Sequence, residues 1–140
     1  MVVDSRTQST TSGPDGLLGA ATVQLGLASQ VTTFTLSDFG RTLQPSGSGT
    51  DHGWGNHHLV IGDAVQGGVI YGRFPLMTNY ASFNASHDDF ADDRGGMLPG
   101  ISLSQYGATL ARWFGAVDAD LNGLFPTLAG FTTRDLGFLT

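Results

Sequence analysis

The chain has 140 residues, of which 40% are hydrophobic, and this is enough for one globular domain rather than a disordered chain. Its net charge is −6, every basic residue is Arg and every acidic residue is Asp, so we do not expect nucleic acid as a partner. The absence of Cys excludes disulfides, thiolate metal sites and a Cys nucleophile, and no apolar run is long enough to span a membrane.

The first 16 residues are polar and lack the basic start and apolar middle of a signal peptide, so we expect a disordered leader over 1–16. The rest of the chain, 17–140, is expected to form a single α/β domain. Apolar residues at helical spacing over Leu17–Ser29 predict the first helix of that domain, and the helix should end near Gly26.

A strand is predicted over Val31–Leu36, because β-branched and aromatic residues fit the pleated surface of a sheet. This strand should stop just before Asp38. The Gly/Ser-rich segment 43–50 is predicted to be an open loop. Two further short strands, Leu59–Ile61 and Val69–Tyr71, should follow, with a turn between them.

The clearest helix is predicted over 102–115, and either Ser102 or Ser104 can cap the free backbone N–H groups of its first turn. Gly115 should end the helix. Helical spacing predicts that Arg112 faces solvent and that the buried face consists of Tyr106, Leu110, Trp113 and Phe114.

The segment 118–123 has the Asp and Asn spacing of the first half of a helix-loop-helix calcium site. The twelfth position of such a loop should be a bidentate Glu, whereas this chain has Ala129 there and Pro126 before it. A short capped helix is therefore the better interpretation. Residues 76–100 are predicted to form a long irregular excursion, and long loops in compact domains commonly carry function.

Asp38 lies where the first strand is predicted to end, which is where α/β sheets open a crevice for ligands. Its carboxylate is a candidate metal ligand, and the alternative is that it caps the following turn. Asp51 and His52 are adjacent, and on a loop both side chains can face one ion, since carboxylate oxygen and imidazole nitrogen suit zinc and similar metals. The alternative for this pair is a solvated polar loop.

Three of the four histidines lie within seven residues, and this clustering points toward a metal or catalytic role. His57 is the candidate general base, whereas His58 leads into a buried strand and is interpreted as structural. Arg41 is the candidate anion-binding residue, because its planar guanidinium suits phosphate, sulfate or carboxylate. The alternative for Arg41 is an ion pair with Asp38 or Asp51.

Four stretches together resemble one bacterial family, the domain of unknown function 1501: VTTFTLSDFGRTL, GSGTDHGWGNHHLVIGDAVQGG, IYGRFP and SLSQYGATLARWFG. The likeness runs from about Leu17 to the terminal DLGFL, so it covers most of the chain. Members of that family look like distant relatives of the alkaline phosphatase and sulfatase superfamily. The resemblance therefore implies a partial alkaline-phosphatase-like sheet with flanking helices and long loops.

In that superfamily, a strand ends in a metal-binding Asp-His pair and a later His completes a second metal site. By resemblance, Asp38 takes the place of the pair's Asp, Phe39 stands where its His would be, and Asp51-His52 supplies the later His. The resemblance implies a metal-dependent hydrolase, or a remnant of one, that acts on a small anionic or ester substrate such as a phosphate or sulfate. Zinc or manganese is the first expectation for the metal, and calcium comes after them.

Family members are several times longer, and this chain resembles only their C-terminal end, so the nucleophile and the first metal-binding Asp residues are expected elsewhere. A fragment of a larger core would expose apolar surface, which favours a homo-oligomer. The resemblance also implies a periplasmic or secreted location. The alternative function is a non-catalytic module for a glycan or protein partner, with a sugar stacked on Trp54, Tyr71, Tyr80 or Phe83.

Overall fold

Helices and short strands are mixed along the chain in the computed structural model, which describes residues 2–3, 14–76 and 89–140. The strands are β1 (Val2–Val3), β2 (Thr32–Phe34), β3 (Gly40–Ser46), β4 (Gly49–Gly53) and β5 (His58–Gly62). The α-helices are α1 (Pro14–Gln24), α2 (Leu103–Trp113) and α3 (Asp118–Leu124), and 3₁₀ turns span Ala28–Gln30 and Pro126–Gly130. This mixture is consistent with the predicted α/β class.

Strand β5 is the centre of a three-stranded sheet with the order β1-β5-β2. β1 pairs with β5 in parallel, so Val2–Val3 of the expected leader contact the domain. β2 pairs with β5 in antiparallel register, with Thr33 opposite Ile61. The predictions of a strand at 31–36 and of another at 59–61 are both confirmed, although β2 is shorter than expected.

A β-hairpin replaces the open loop that was predicted over 43–50. β3 and β4 pair in antiparallel register from Gly40 opposite Gly53 to Ser46 opposite Gly49, so the loop prediction is wrong. Gly47 adopts a φ of +58° in the two-residue turn, a conformation that side chains with a Cβ rarely adopt. The Gly/Ser run is therefore a hairpin turn, and the residues that follow it lie on a strand.

The strand expected at Val69–Tyr71 is also absent, because these residues have no ladder partner in the structure. Tyr71 instead packs its ring against Phe138, with centroids 5.7 Å apart, and its hydroxyl donates a hydrogen bond to the carbonyl of Gln66 at 2.9 Å. Tyr71 thus packs against the C-terminal tail, whereas Val69 and Ile70 are about half exposed. The first helix is confirmed, and Gly26 with its φ of +68° follows its end.

Within the described residues, two buried clusters contribute most of the core, and helix α2 takes part in both. The first cluster contains Val60, Val65, Tyr106 and Phe138, and the second contains Ala108, Leu121 and Leu128. The C-terminal tail is fixed to the body because Leu139 forms a β-bridge with Val65 and the carbonyl of Phe138 accepts from the backbone N–H of Gln66 at 2.9 Å. The tail is therefore part of the core.

Helix α2 begins as predicted, with Ser102 and Gln105 forming a capping box at its N-terminus. Its predicted buried face is only partly right. Tyr106 is buried and Leu110 packs against the first cluster, but Trp113 is only partly buried. Phe114, the C-cap residue of the helix, is 88% exposed.

The opposite side of α2 is buried through small residues. Ala108 is fully buried against the second cluster, and a Cβ on Gly107 would lie 2.7 Å from the ring of Phe125. Helix α3 and the turn after it can therefore approach α2 closely because the residues of α2 at this contact are small. Hydrophobic periodicity does not identify such residues. Arg112 is partly exposed and forms ion pairs with Asp118 and Asp135.

Helix α1 presents an apolar surface to solvent. Leu17, Val23 and Leu25 are each more than half exposed, and the segment 16–37 contains no charged residue. Within the described part of the chain, no helix combines the length and apolar character that crossing a bilayer requires.

The two phenylalanines at opposite extremes of burial provide a matched test of the core. Phe138 is fully buried, so Phe138→Ala should lower the free energy of unfolding by about 3–5 kcal/mol through lost transfer energy and the cavity left behind. Phe114→Ala removes the same atoms from an exposed site and should change the free energy of unfolding by less than about 0.5 kcal/mol. Chemical denaturation measures both, and equal effects would contradict the assigned core.

Candidate ligand-binding cleft

A cleft of about 430 Å³ opens between the end of β2, the β4–β5 connection and the start of α2. Its walls come from residues 37–39, 54–56 and 99–103, together with His58, Tyr106 and Phe131. The volume falls in the range of small-molecule sites, which is roughly 300–1,000 Å³. The cleft lies where sequence reasoning placed a ligand crevice, just beyond the end of a strand.

Asp38, which lies four residues beyond the end of β2, lines this cleft. Local hydrogen bonds hold the segment that carries it. The hydroxyl of Ser37 donates to the carbonyl of Phe39 at 2.9 Å, and the side-chain amide of Asn56 donates to the same carbonyl at 3.0 Å. The strand end and the β4–β5 connection are therefore joined directly at the cleft wall.

The floor of the cleft is formed by stacked rings from β5 and α2. His58 stacks on Tyr106 with ring centroids 5.2 Å apart and planes 18° apart. The hydroxyl of Tyr106 donates to the carbonyl of Thr35 at 3.1 Å, which fixes α2 to the residue after β2. Burial lowers the pKa of His58 below its usual value of 6.5, so its imidazole is neutral at pH 7.

Arg41 and His52 lie opposite each other on the β3–β4 hairpin, and both contact Phe39. The His52 ring stacks on the Phe39 ring at 4.1 Å, and the guanidinium carbon of Arg41 lies 4.9 Å from the centre of the same ring. Arg41 also donates to the carbonyl of Thr50 at 2.7 Å. The two side chains therefore adjoin the cleft through Phe39, although neither lines it.

Asp51 is separated from its neighbour His52 by the geometry of β4. Successive side chains of a strand point to opposite faces, so the loop that would turn both toward one ion does not exist. The carboxylate of Asp51 forms an ion pair with Arg94. His57 is exposed in the connection before β5, where its backbone N–H donates to the side chain of Asn56 at 2.8 Å.

The donors predicted for a metal are thus distributed over three places. Asp38 is in the cleft, His52 is on one hairpin face and Asp51 is on the other. Across residues 2–3, 14–76 and 89–140, no three His, Cys, Asp or Glu side chains are grouped closely enough to hold an ion. The described donors by themselves do not fit a bound metal.

The acidic run before α2 has structural contacts. Asp89 is buried, accepts a hydrogen bond from the backbone of Leu76 at 2.9 Å and forms an ion pair with Arg73. Asp92 accepts from the backbone N–H groups of Arg94 and of Gly96, each at 2.9 Å. These carboxylates organise the chain around the excursion, of which residues 77–88, including Tyr80 and Phe83, lie outside the described residues.

A comparison with protein families found a match over residues 10–122 to the family described as Protein of unknown function (DUF1501). The chain belongs to this family. Searches of curated proteins and of solved structures gave no match. The DUF1501 match includes the strand end, the hairpin, β5 and the whole of α2, so nearly every wall of the cleft lies within the family region.

Sequence reasoning missed several residues of this DUF1501 cleft. His58 was interpreted as structural, yet it lines the cleft while also packing on Tyr106. No sequence pattern points to Asn56, and the pattern at Ser102 indicates only a helix cap. The sequence signal that could have identified Ser102 is its role as the N-cap of α2. A helix that begins beside the end of a strand places its first turn at the ligand crevice.

The lowered pKa of His58 makes a pH prediction. The unfolded chain takes up a proton near pH 6.5 while the folded chain resists it, so this histidine contributes stability above pH 6.5 that is lost as the pH falls below it. The melting temperature of His58→Gln should therefore fall less between pH 7 and pH 5 than that of the wild type. His57→Gln removes a like charge that helps to lower the pKa of His58, so its slope should lie between those of the wild type and His58→Gln. Identical slopes for all three proteins would contradict the assignment.

Proposed function

We propose that this chain is the substrate-binding part of a metal-dependent hydrolase-like protein. The cleft would bind a small polar, anionic or ester ligand, such as a phosphate or sulfate ester. The observation that carries the proposal is that Asp38, in the connection between β2 and β3, lines a cleft of ligand size. A periplasmic or secreted location belongs to the same proposal.

Descent from the alkaline phosphatase and sulfatase superfamily, with a partial sheet of that type, is also proposed. It is supported by the contact between Phe39 and His52, whose rings are 4.1 Å apart. Phe39 stands where the superfamily's strand-end His would be, and His52 corresponds to its later His. The position of the strand-end His and that of the later His, which the resemblance assigns to metal sites, are therefore neighbours here.

We propose catalytic and metal-binding roles for residues around the contact between Phe39 and His52. Asp38 and His52 are the metal donors, zinc or manganese is the expected ion, and donors beyond the described residues must complete the set. Asp51 can join them only if it leaves its ion pair with Arg94 and the local strand geometry changes, since it lies on the other face of β4 from His52. Arg41 keeps further guanidinium N–H groups for an anion, and His57 is exposed enough to accept a proton from water.

A second copy of the chain is one source of the missing donors, and the exposed apolar surface of α1 favours such self-association. The segment 16–37 is free of charge in an acidic protein, so two copies can meet there without repulsion between like charges. We therefore propose a homo-oligomer.

A second candidate function is a non-catalytic binding module. The observation that favours it is the absence, among the residues that the structure describes, of any group of three metal-binding side chains. In that case the cleft binds its ligand without chemistry.

Metal analysis separates the two candidates. We expect zinc or manganese in the purified protein, and we expect Asp38→Asn and His52→Ala each to lower the metal content by more than half, since each removes one of the two proposed donors. Asp63→Asn, at an exposed position outside the cleft, is the matched control and should retain the metal.

Equal metal content in the wild type, Asp38→Asn and His52→Ala would refute the assigned donors and leave the non-catalytic module. Light scattering on the same samples reports the assembly. We expect more than one copy per particle at micromolar concentration, and a clean monomer would contradict the oligomer.

A further inference from the structure

Trp54 is exposed at the mouth of the cleft in a way that packing does not explain. It lies in the β4–β5 connection, lines the cleft and is 75% exposed. Burial of an indole ring stabilises a protein strongly, and the chain itself does not bury this one. We therefore expect Trp54 to contact a ligand or partner.

The backbone beneath Trp54 is held tightly even though its side chain is free. The backbone N–H of Gly55 donates to the carbonyl of Met97 at 2.7 Å. A Cβ on Gly55 would lie 2.4 Å from that carbonyl oxygen, and one on Gly40 would lie 1.7 Å from the carbonyl oxygen of Gly55. Only glycine permits this approach, so the indole is presented from a fixed backbone and little order must be gained on binding.

The charge of the side chains that line the cleft limits which classes of ligand can bind beside the indole of Trp54. Among the described residues that line the cleft, Asp38 is the one acidic side chain and there is no Arg, while burial lowers the pKa of His58. In the absence of a metal, a carboxylate repels a free anion but accepts hydrogen bonds from hydroxyl groups.

We propose that Trp54 is the stacking platform for a neutral pyranose ring, whose hydroxyl groups reach Asp38 and Asn56. The C–H face of such a ring fits the negative face of an indole, and its hydroxyls fit a carboxylate and an amide. The inference rests on the proposed cleft and names the ligand group that the cleft receives. It requires no metal, so it holds whether the ring is part of an ester substrate or a ligand bound without chemistry.

Isothermal titration calorimetry of the full chain in EDTA tests this inference. The probes are three neutral oligosaccharides, namely cellotetraose, maltotetraose and chitotetraose. We expect at least one to bind with a Kd of about 1 mM or tighter and to lose at least about tenfold in affinity in Trp54→Ala. Asp38→Asn should also weaken binding. Phe114→Ala removes another exposed aromatic outside the cleft and should leave binding unchanged.

Trp54→Ala should keep the wild-type melting temperature within a few degrees, because its side chain is exposed. No binding of any of the three sugars, or equal affinity in wild type and Trp54→Ala, would overturn the inference. Because EDTA is present, sugar binding that depends on Trp54 supports it even if the metal assignment fails. Conversely, bound metal without sugar binding would overturn it and leave the hydrolase proposal standing.

Discussion

The packing of Tyr106 is the interaction on which the cleft depends. Its ring lies against His58 of β5 and Phe138 of the tail, with centroids 5.2 Å and 5.8 Å away, and its hydroxyl donates to the carbonyl of Thr35. Burial raises the pKa of Tyr106 to about 12, so the hydroxyl keeps its proton throughout the ordinary pH range. One side chain thus ties α2, the sheet and the tail together and sets the start of α2 beside the strand end.

The sequence predicted correctly those helices and strands that are determined by residues close together in the chain. The Ser102 cap and the β-branched residues of β2 and β5 act within a few residues, and α2, β2 and β5 were found where expected. The hairpin was missed because a Gly/Ser run has the same composition in a turn as in an open loop. Phe114 was misplaced because periodicity gives the direction of a side chain along the helix but not whether another part of the chain covers it.

The candidate site was predictable only in part for a similar reason. The place of Asp38 follows from its position after a strand, and the structure does put it in the cleft. The partners of the other residues come from distant parts of the chain. Arg94 pairs with Asp51, and Tyr106 covers His58, and neither contact leaves a mark in local composition. The wrong loop prediction over 43–50 also affected the predicted site. Asp51 and His52 both lie on strand β4, so their side chains point to opposite faces of it.

The most direct test of the central claim, that the strand-end cleft binds a ligand, is two-dimensional amide NMR of the ¹⁵N-labelled chain against small polar fragments that include sugars, phosphates and sulfates. The account predicts that binders shift the amides of Asp38, Asn56 and Ser102, which belong to three different walls of the cleft. Binders that shift only amides elsewhere, for example along α1, would contradict it, as would a library without any binder.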